Sequence, residues 1–462
     1  MKKNYRQIIR LICVGILLAA VFVILVRKGA IPRFWERAAQ PVVSTDVSET
    51  PDAAEMSGTV NVTEGGVETP EQTKESAASD GEKAPSQQPE SSDELSAASE
   101  QEAETSEEPP EQTPAEQLEA YLADDPRTPT EAKGIFITGA VAGTANTMPA
   151  LTELVEETSL NAMVIDIKND AGEVTYQMGL PLAEEIGAQV RYVADMPNLI
   201  RQLKEKDIYL IARIVAFKDP ILAEQKPDLA VKNADGSVFH DNNGLAWVNP
   251  YKEEVWDYLI ELSKQAVELG FDEIQYDYIR FSTAKGISEA DFGVEAEGKT
   301  KQEAINGFLT KAYETLAPMG VYVSADVFGT IICNESDGEL IGQDYVEMAK
   351  HCDYICPMVY PSHYVNDAYG IAVPDAKPYE LIYASVADGE KKLAAAREAD
   401  ASLHIAKQRP WLQAFTATWV KGHIPYRGQQ LEDQIRGAAD AGVPEWLLWN
   451  AANNYDKVKS GL

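Results

Sequence analysis

FDEIQYDYIRF, Phe271–Phe281, is the stretch on which the reading of this chain turns. Polar Gln275 and Asp277 alternate with apolar Ile274 and Tyr276, the period-two pattern of a strand. An amphipathic helical pattern over Lys252–Leu269 precedes it, Gly270 ends that helix, and a polar loop follows. Helix, short strand and a charged loop are the repeating unit of a parallel α/β architecture. Asp277 then stands at the carboxyl end of its strand with Tyr278 and Arg280 just beyond.

The same alternation recurs on both sides. Expected strands are Gly134–Gly139, Ala162–Asp170, Tyr209–Phe217, the opening stretch, Val321–Gly329, Tyr354–Ser362, Arg409–Thr416 and Glu445–Ala451. Helical patterns lie near Met148–Thr158, Tyr192–Lys206, Lys252–Leu269, Lys301–Ala317, Tyr379–Glu398 and Gln430–Ala441. Eight strands alternating with helices predict a closed (β/α)8 TIM barrel rather than an open doubly wound sheet. No Gly-rich dinucleotide fingerprint and no P-loop follows the first strand, which weighs against a nucleotide-binding open sheet.

Composition divides the 462 residues into three expected regions: 1–40, 41–117 and 118–462. In the first, basic residues precede an unbroken apolar run from Leu11 to Val26, which Arg27 and Lys28 close. The expectation is an uncleaved transmembrane signal anchor, because those two bases occupy the place of a small-residue cleavage site. Cleavage and secretion is the alternative. Cys13 precedes the apolar core and is badly placed for lipid attachment. The second region carries 20 Asp and Glu against two Lys, with no aromatic residue. It cannot bury enough apolar surface to fold and is expected to be a disordered, extracytoplasmic stalk. The lipid bilayer is then a partner through the first region. The formal net charge of -34 argues against a nucleic-acid partner. Cys333, Cys352 and Cys356 read as thiols rather than a disulfide framework.

Polar residues at the carboxyl ends of barrel strands are the candidate site. They are Asp166, Lys168 and Asp170; Arg213; Gln275, Asp277 and Arg280; Ser324 and Asp326; Tyr360 and His363; Trp411 and Gln413; Trp446, Trp449 and Asn450. Buried carboxylates need a partner, and Arg213 can supply one. A purely structural ion network of Asp166, Arg213 and Asp277 is the competing reading. Two carboxylates amid aromatic rings suit glycoside hydrolysis, in which one protonates the leaving oxygen and the other acts as nucleophile or base. Asp277 and Asp326, on neighbouring strands, are the expected catalytic pair. Asp166, Arg213, Trp247, Asn249, Arg280, Tyr360, Gln413 and Trp449 are expected to orient them or to hold sugar. No cofactor is expected. The five histidines are scattered and there is no metalloprotease or nucleophile-elbow motif. Asp166, Asp170 and Asp277 are of the type that suits a hard divalent cation, but no metal is expected.

Eight segments, KGIFITG, AMVIDIKNDAGEV, ARIVAFKDP, GLAWVNPY, FDEIQYDYIRF, SADVFG, CPMVYPSHY and LLWNAANNY, together resemble a bacterial family of glycoside hydrolases known as a domain of unknown function. The resemblance covers about Lys133–Tyr455 and implies a TIM barrel and a carbohydrate substrate. More distantly, the chain is similar to family-18 chitinases. Phe271 and Asp272 match the start of their strand-four signature and Asp277 its last Asp. Met358–Tyr360 resembles their Met-x-Tyr, and Trp449 their strand-eight tryptophan. Gln275 replaces an Asp of that signature, and Ile279 stands where the acid Glu belongs. The resemblance therefore carries over the carboxylate at Asp277 but not the chitinase proton donor.

Overall fold

The computed structural model describes residues 112–462, in which all eight expected strands form. They are β1 (Lys133–Ile137), β2 (Ala162–Lys168), β3 (Tyr209–Val215), β4 (Glu273–Asp277), β5 (Tyr322–Phe328), β6 (Tyr354–Met358), β7 (Lys407–Gln408), β8 (Trp411–Gln413) and β9 (Trp446–Trp449). The expected seventh strand, Arg409–Thr416, forms only as β8, and the two-residue β7 lies just before its expected start. Both pair with β6, Lys407 opposite Tyr354 and Trp411 opposite Met358, so the two pieces share one stave. The break falls at Arg409–Pro410, where proline offers no N–H to a ladder. All pairings are parallel, and β5 pairing with β6 closes the wall into an eight-stave barrel.

Alternation along each strand sorts side chains to two sides of that wall. Phe136, Val164, Ile211, Tyr354 and Leu447 form one buried cluster inside it. Ile135, Ile165, Ala212, Ile274, Val323 and Leu448 belong to the larger cluster outside, beneath the helices. Strands buried on both faces explain the near-continuous apolar runs of the sequence. Helices cover the barrel at Thr147–Glu157, Met196–Lys204, Glu253–Leu269, Lys301–Leu316, Pro378–Ala399 and Gly428–Asp440. The starts follow local chemistry: Asp195 caps the second through the N–H of Asn198, and Thr300 and Glu303 make a capping box for the fourth.

The first and last strands meet. Lys133 pairs with Trp446 and Gly134 with Leu447. Beyond β9, the Tyr455 hydroxyl donates to the Phe136 carbonyl at 2.8 Å, and Asn453 Oδ1 accepts from the Thr138 N–H at 3.0 Å. The amino ends of the strands are plugged by charge. Arg409, wholly buried, donates to both oxygens of Glu273 (2.9 and 2.8 Å) and to Glu445 (2.9 Å), while its guanidinium lies 3.5 Å from the Tyr354 ring centre. The Tyr209 hydroxyl completes this set on Glu273 at 2.9 Å. A helix at Pro114–Ala123, which crosses the boundary placed at residue 118, leads to Arg127. Arg127 forks onto both oxygens of Asp353 (2.9 and 2.8 Å) and onto the Val321 carbonyl (2.7 Å), clipping this leading segment to the barrel.

The expected membrane anchor and nearly all of the expected stalk lie outside the described residues. Among the described residues, no helix is long and apolar enough to cross a membrane.

Candidate active site

The charges gather at the carboxyl ends of the strands. In the parallel register Asp166 lies opposite Arg213, and Asp277 opposite Val215, so Arg213 sits level with one carboxylate and one step below the other. Its Nη1 donates to Asp166 Oδ1 at 2.5 Å, and its Nη2 and Nε donate to Asp277 Oδ2 at 2.6 and 3.1 Å. All three residues are buried. Burial pushes the Asp166 carboxyl up to about 6 against the pull of Arg213. The neighbouring carboxylates hold Arg213 cationic despite its burial. The ion network weighed as the structural alternative is thus present, at the carboxyl ends of β2, β3 and β4.

Asp277 is also fixed from its own backbone. Tyr278 adopts φ +48°, in the left-handed region that a bulky residue enters only at a cost of about 1–2 kcal/mol. That turn aims its N–H at Asp277 Oδ1, 2.6 Å away. The neighbouring strand holds the turn in place, since Ala216 and Phe217 donate to the carbonyls of Asp277 and Tyr278. Both Asp277 oxygens therefore accept from fixed donors.

Asp326, on the adjacent β5, is almost fully buried and its Oδ1 accepts the Trp411 indole N–H at 2.7 Å. Burial, reinforced by the Asp277 charge, holds its carboxyl well above the usual carboxylate range. Tyr360 is buried beside the pair: burial raises its phenol first, and the charges of Asp326 and Asp277 add to this. Trp449 is half-buried and stacks on Phe136 with ring centres 4.1 Å apart at 23°. The Arg213 guanidinium lies 5.3 and 5.2 Å from those two ring centres.

Four residues expected to touch substrate are placed otherwise. Trp247 is 1 % exposed and gives its indole N–H to Asp241, so it offers no open face. Asn249 holds a loop through the Phe292 carbonyl and the Tyr251 N–H. Gln413 ties Asp375 to the Ser362 N–H. Arg280 is buried among the rings of Trp247, Tyr278 and Phe328 and donates to the Phe281 carbonyl. Bulky or amide residues near a barrel mouth do this as readily as they bind ligand, and sequence alone does not say which way they point. Asp170 pairs with Lys218 at 3.2 Å, and its charge adds to the upward push on the Asp166 carboxyl. Among the described residues, no group of three or more His, Cys, Asp or Glu is arranged to hold a metal ion. Phe136 and the Trp411–Asp326 bond were missed. Phe136 was within reach of sequence, since it stands two residues from Gly134 on the inward face.

Residues 134–455 match the model of a family described as "putative glycosyl hydrolase domain". The chain belongs to that family. No curated protein matches its sequence. Among solved structures, a hypothetical protein from Ruminiclostridium thermocellum is 41% identical, with 42% of this chain and 97% of that one covered and a TM-score of 0.39. The glycoside hydrolase domain of PgaB (BpsB) from Bordetella bronchiseptica is 12% identical, covering 70% of this chain and 95% of that one, with a TM-score of 0.52. An α-galactosidase from Thermus thermophilus is 14% identical, covering 73% and 62%, with a TM-score of 0.42. The PgaB domain shares the barrel fold with this glycosyl hydrolase domain, and at that identity the likeness extends no further. Ile279, expected from the sequence to stand where an acid is missing, is wholly buried in the outer core.

Proposed function

We propose that the chain is a glycosidase that cleaves a cell-surface or environmental polysaccharide with Asp326 as general acid and Asp277 as nucleophile or general base. The observation that carries the reading is the contrast between two carboxylates at the ends of neighbouring strands. Asp277 has three N–H donors on its two oxygens, an arrangement that matches an acceptor-only carboxylate. Asp326 has one donor and an environment that keeps its proton on. Unlike environments for two nearby carboxyls are what separates an acid from its partner. Asp326 Oδ2 would deliver its proton to the glycosidic oxygen as the bond to the sugar breaks. Asp277 would attack the anomeric carbon or activate a water. Trp449 on Phe136 would support the sugar ring.

The test is the release of new reducing ends from a panel of bacterial and plant polysaccharides by the full chain and by Asp326→Asn. The parent is expected to cleave at least one polymer, with the variant slower by about 10²–10⁴-fold. The pH profile has a definite sign: a general acid must hold its proton, so kcat/KM should fall as pH rises through the raised Asp326 pKa. An unchanged alkaline limb in Asp326→Asn would remove Asp326 from the acid role. Isoleucine rather than a carboxylic acid at position 279 motivates a second reading, a glycan-binding protein without turnover. Polymer binding with no reducing ends from the parent would favour it.

The run Leu11–Val26 supports placing this activity outside the cell on an uncleaved anchor. Protease added to intact cells should then remove the barrel, and full protection of the barrel would reject that placement.

A further inference from the structure

The mouth of the barrel is lined unevenly. Beyond β2 and β3 the side chains are charged and mutually paired, Lys168 with Asp219 at 3.0 Å and Lys218 with Asp170. Beyond β6 and β8 they are aromatic. The loop after β6 carries Tyr360 and His363, and the loop after β8 carries Phe415 and Trp419. Tyr360 and Phe415 have ring centres 6.0 Å apart at 68°. Phe415 and Trp419 are also 6.0 Å apart but nearly parallel, at 19°. His363 stands edge-on to both neighbours, 5.2 Å from Tyr360 and 6.5 Å from Phe415. The file runs from the buried Tyr360, whose phenol feels the charges of Asp326 and Asp277, to the part-exposed Phe415 and Trp419.

Two features separate this file from ordinary core packing. Tyr360 is buried, but Phe415 and Trp419 both keep part of their surface open. Flat apolar faces on the lip of a cleft fit the C–H face of a pyranose, and such faces with a few convergent polar groups are the usual make-up of a ligand site. The polar group here is His363. Its Nδ1 is 2.9 Å from Ser362 Oγ, and its buried Nε2 has no hydrogen-bond partner in the protein. Burial pushes this imidazole down to about 4, so it is neutral and suited to a hydroxyl rather than to an anion. A buried polar atom left unpaired is costly, and a ligand hydroxyl would pair it.

We propose that His363, Phe415 and Trp419, backed by the buried Tyr360 ring, form a second sugar subsite, which holds the neighbouring unit of a glycan chain whose scissile bond lies at Asp277 and Asp326. The proposal rests on the glycosidase reading and extends it: the substrate is a chain that crosses the β6–β8 lip, not an isolated sugar.

The test is affinity electrophoresis of the full chain through native gels holding glycol chitin, barley β-glucan, xylan or galactomannan. Parallel reducing-end assays use the same polymers. At least one polymer is expected to retard the parent. Phe415→Ala/Trp419→Ala should raise Kd for that polymer by about tenfold or more, as for loss of an aromatic anchor, with Trp419→Phe restoring most of it. His363→Phe keeps the packing but removes the nitrogen, and should weaken binding about fivefold, one hydrogen bond's worth. If the double variant does not fold, Trp419→Ala alone carries the same comparison. Parent-like retardation of the aromatic variants, or no retardation of the parent by any polymer, overturns the subsite. Equal reducing-end release by the parent and by Asp277→Asn overturns the catalytic reading instead, whatever the gels show.

Discussion

Asp277→Asn is expected to cut the release of reducing ends by at least about 10³-fold, the scale seen when a nucleophile or general base is removed. The fold should survive the change. Arg213 keeps Asp166 as a counterion, so no uncompensated charge is left in the barrel. The cost that remains is specific. Both Asp277 oxygens accept N–H donors, and an amide of the same shape must turn one NH2 group toward a donor, losing about 1–2 kcal/mol. A fall in Tm of a few degrees is therefore expected alongside near-complete loss of turnover. The assignment fails if the variant still cleaves while its Tm drops steeply, since Asp277 would then be only a member of the ion network.

At the other end of the barrel the balance reverses. Arg409→Ala should destabilise the protein by about 3–5 kcal/mol, because Glu273 and Glu445 would share a closed interior without their cation. The Tyr354 ring would lose the guanidinium packed on it as well. Urea unfolding of the parent and the variant measures this directly, as a lower midpoint at unchanged slope. A shift within about 0.5 kcal/mol would mean that water or local repacking satisfies the two glutamates, contrary to their burial. The paired outcomes separate two ion networks of similar composition. On the proposed reading the one at the carboxyl ends would serve chemistry, while the one at the amino ends serves the fold.

Sequence alone reached the barrel because its signals are periodic. Ile274 and Tyr276 against Gln275 and Asp277 fix which side chains point inward, and the same rule assigns Ser324 and Asp326. It also placed Asp166, Arg213 and Asp277 at one end, where the structure brings them into contact. What it did not reach depends on side-chain direction outside regular elements. Trp247 and Asn249 lie on a long loop with no period to orient them, and both turn inward to hold it. The left-handed turn at Tyr278 has no composition signal, since glycine is the residue that usually marks such a position. The helix Pro114–Ala123 runs across the expected stalk boundary, and only the Arg127 contacts show how this leading segment is clipped to the barrel. Pro410 was visible, and its missing N–H was reason enough to expect a broken stave.

The seam between β1 and β9 has a consequence for how the protein comes into being. Phe136 sits near the start of the barrel sequence and Trp449 near its end, yet the two stack to make one surface, with Tyr455 pinning the backbone beneath. Contacts of such sequence separation form only after the intervening chain has been made and ordered. During synthesis the nascent polypeptide carries Asp277 and Asp326 long before it carries the tryptophan on which the sugar would rest. On the glycosidase reading, turnover would report that the last stave has been inserted, because a chain cut short before Trp446 has both carboxylates but lacks the Phe136–Trp449 platform beside them.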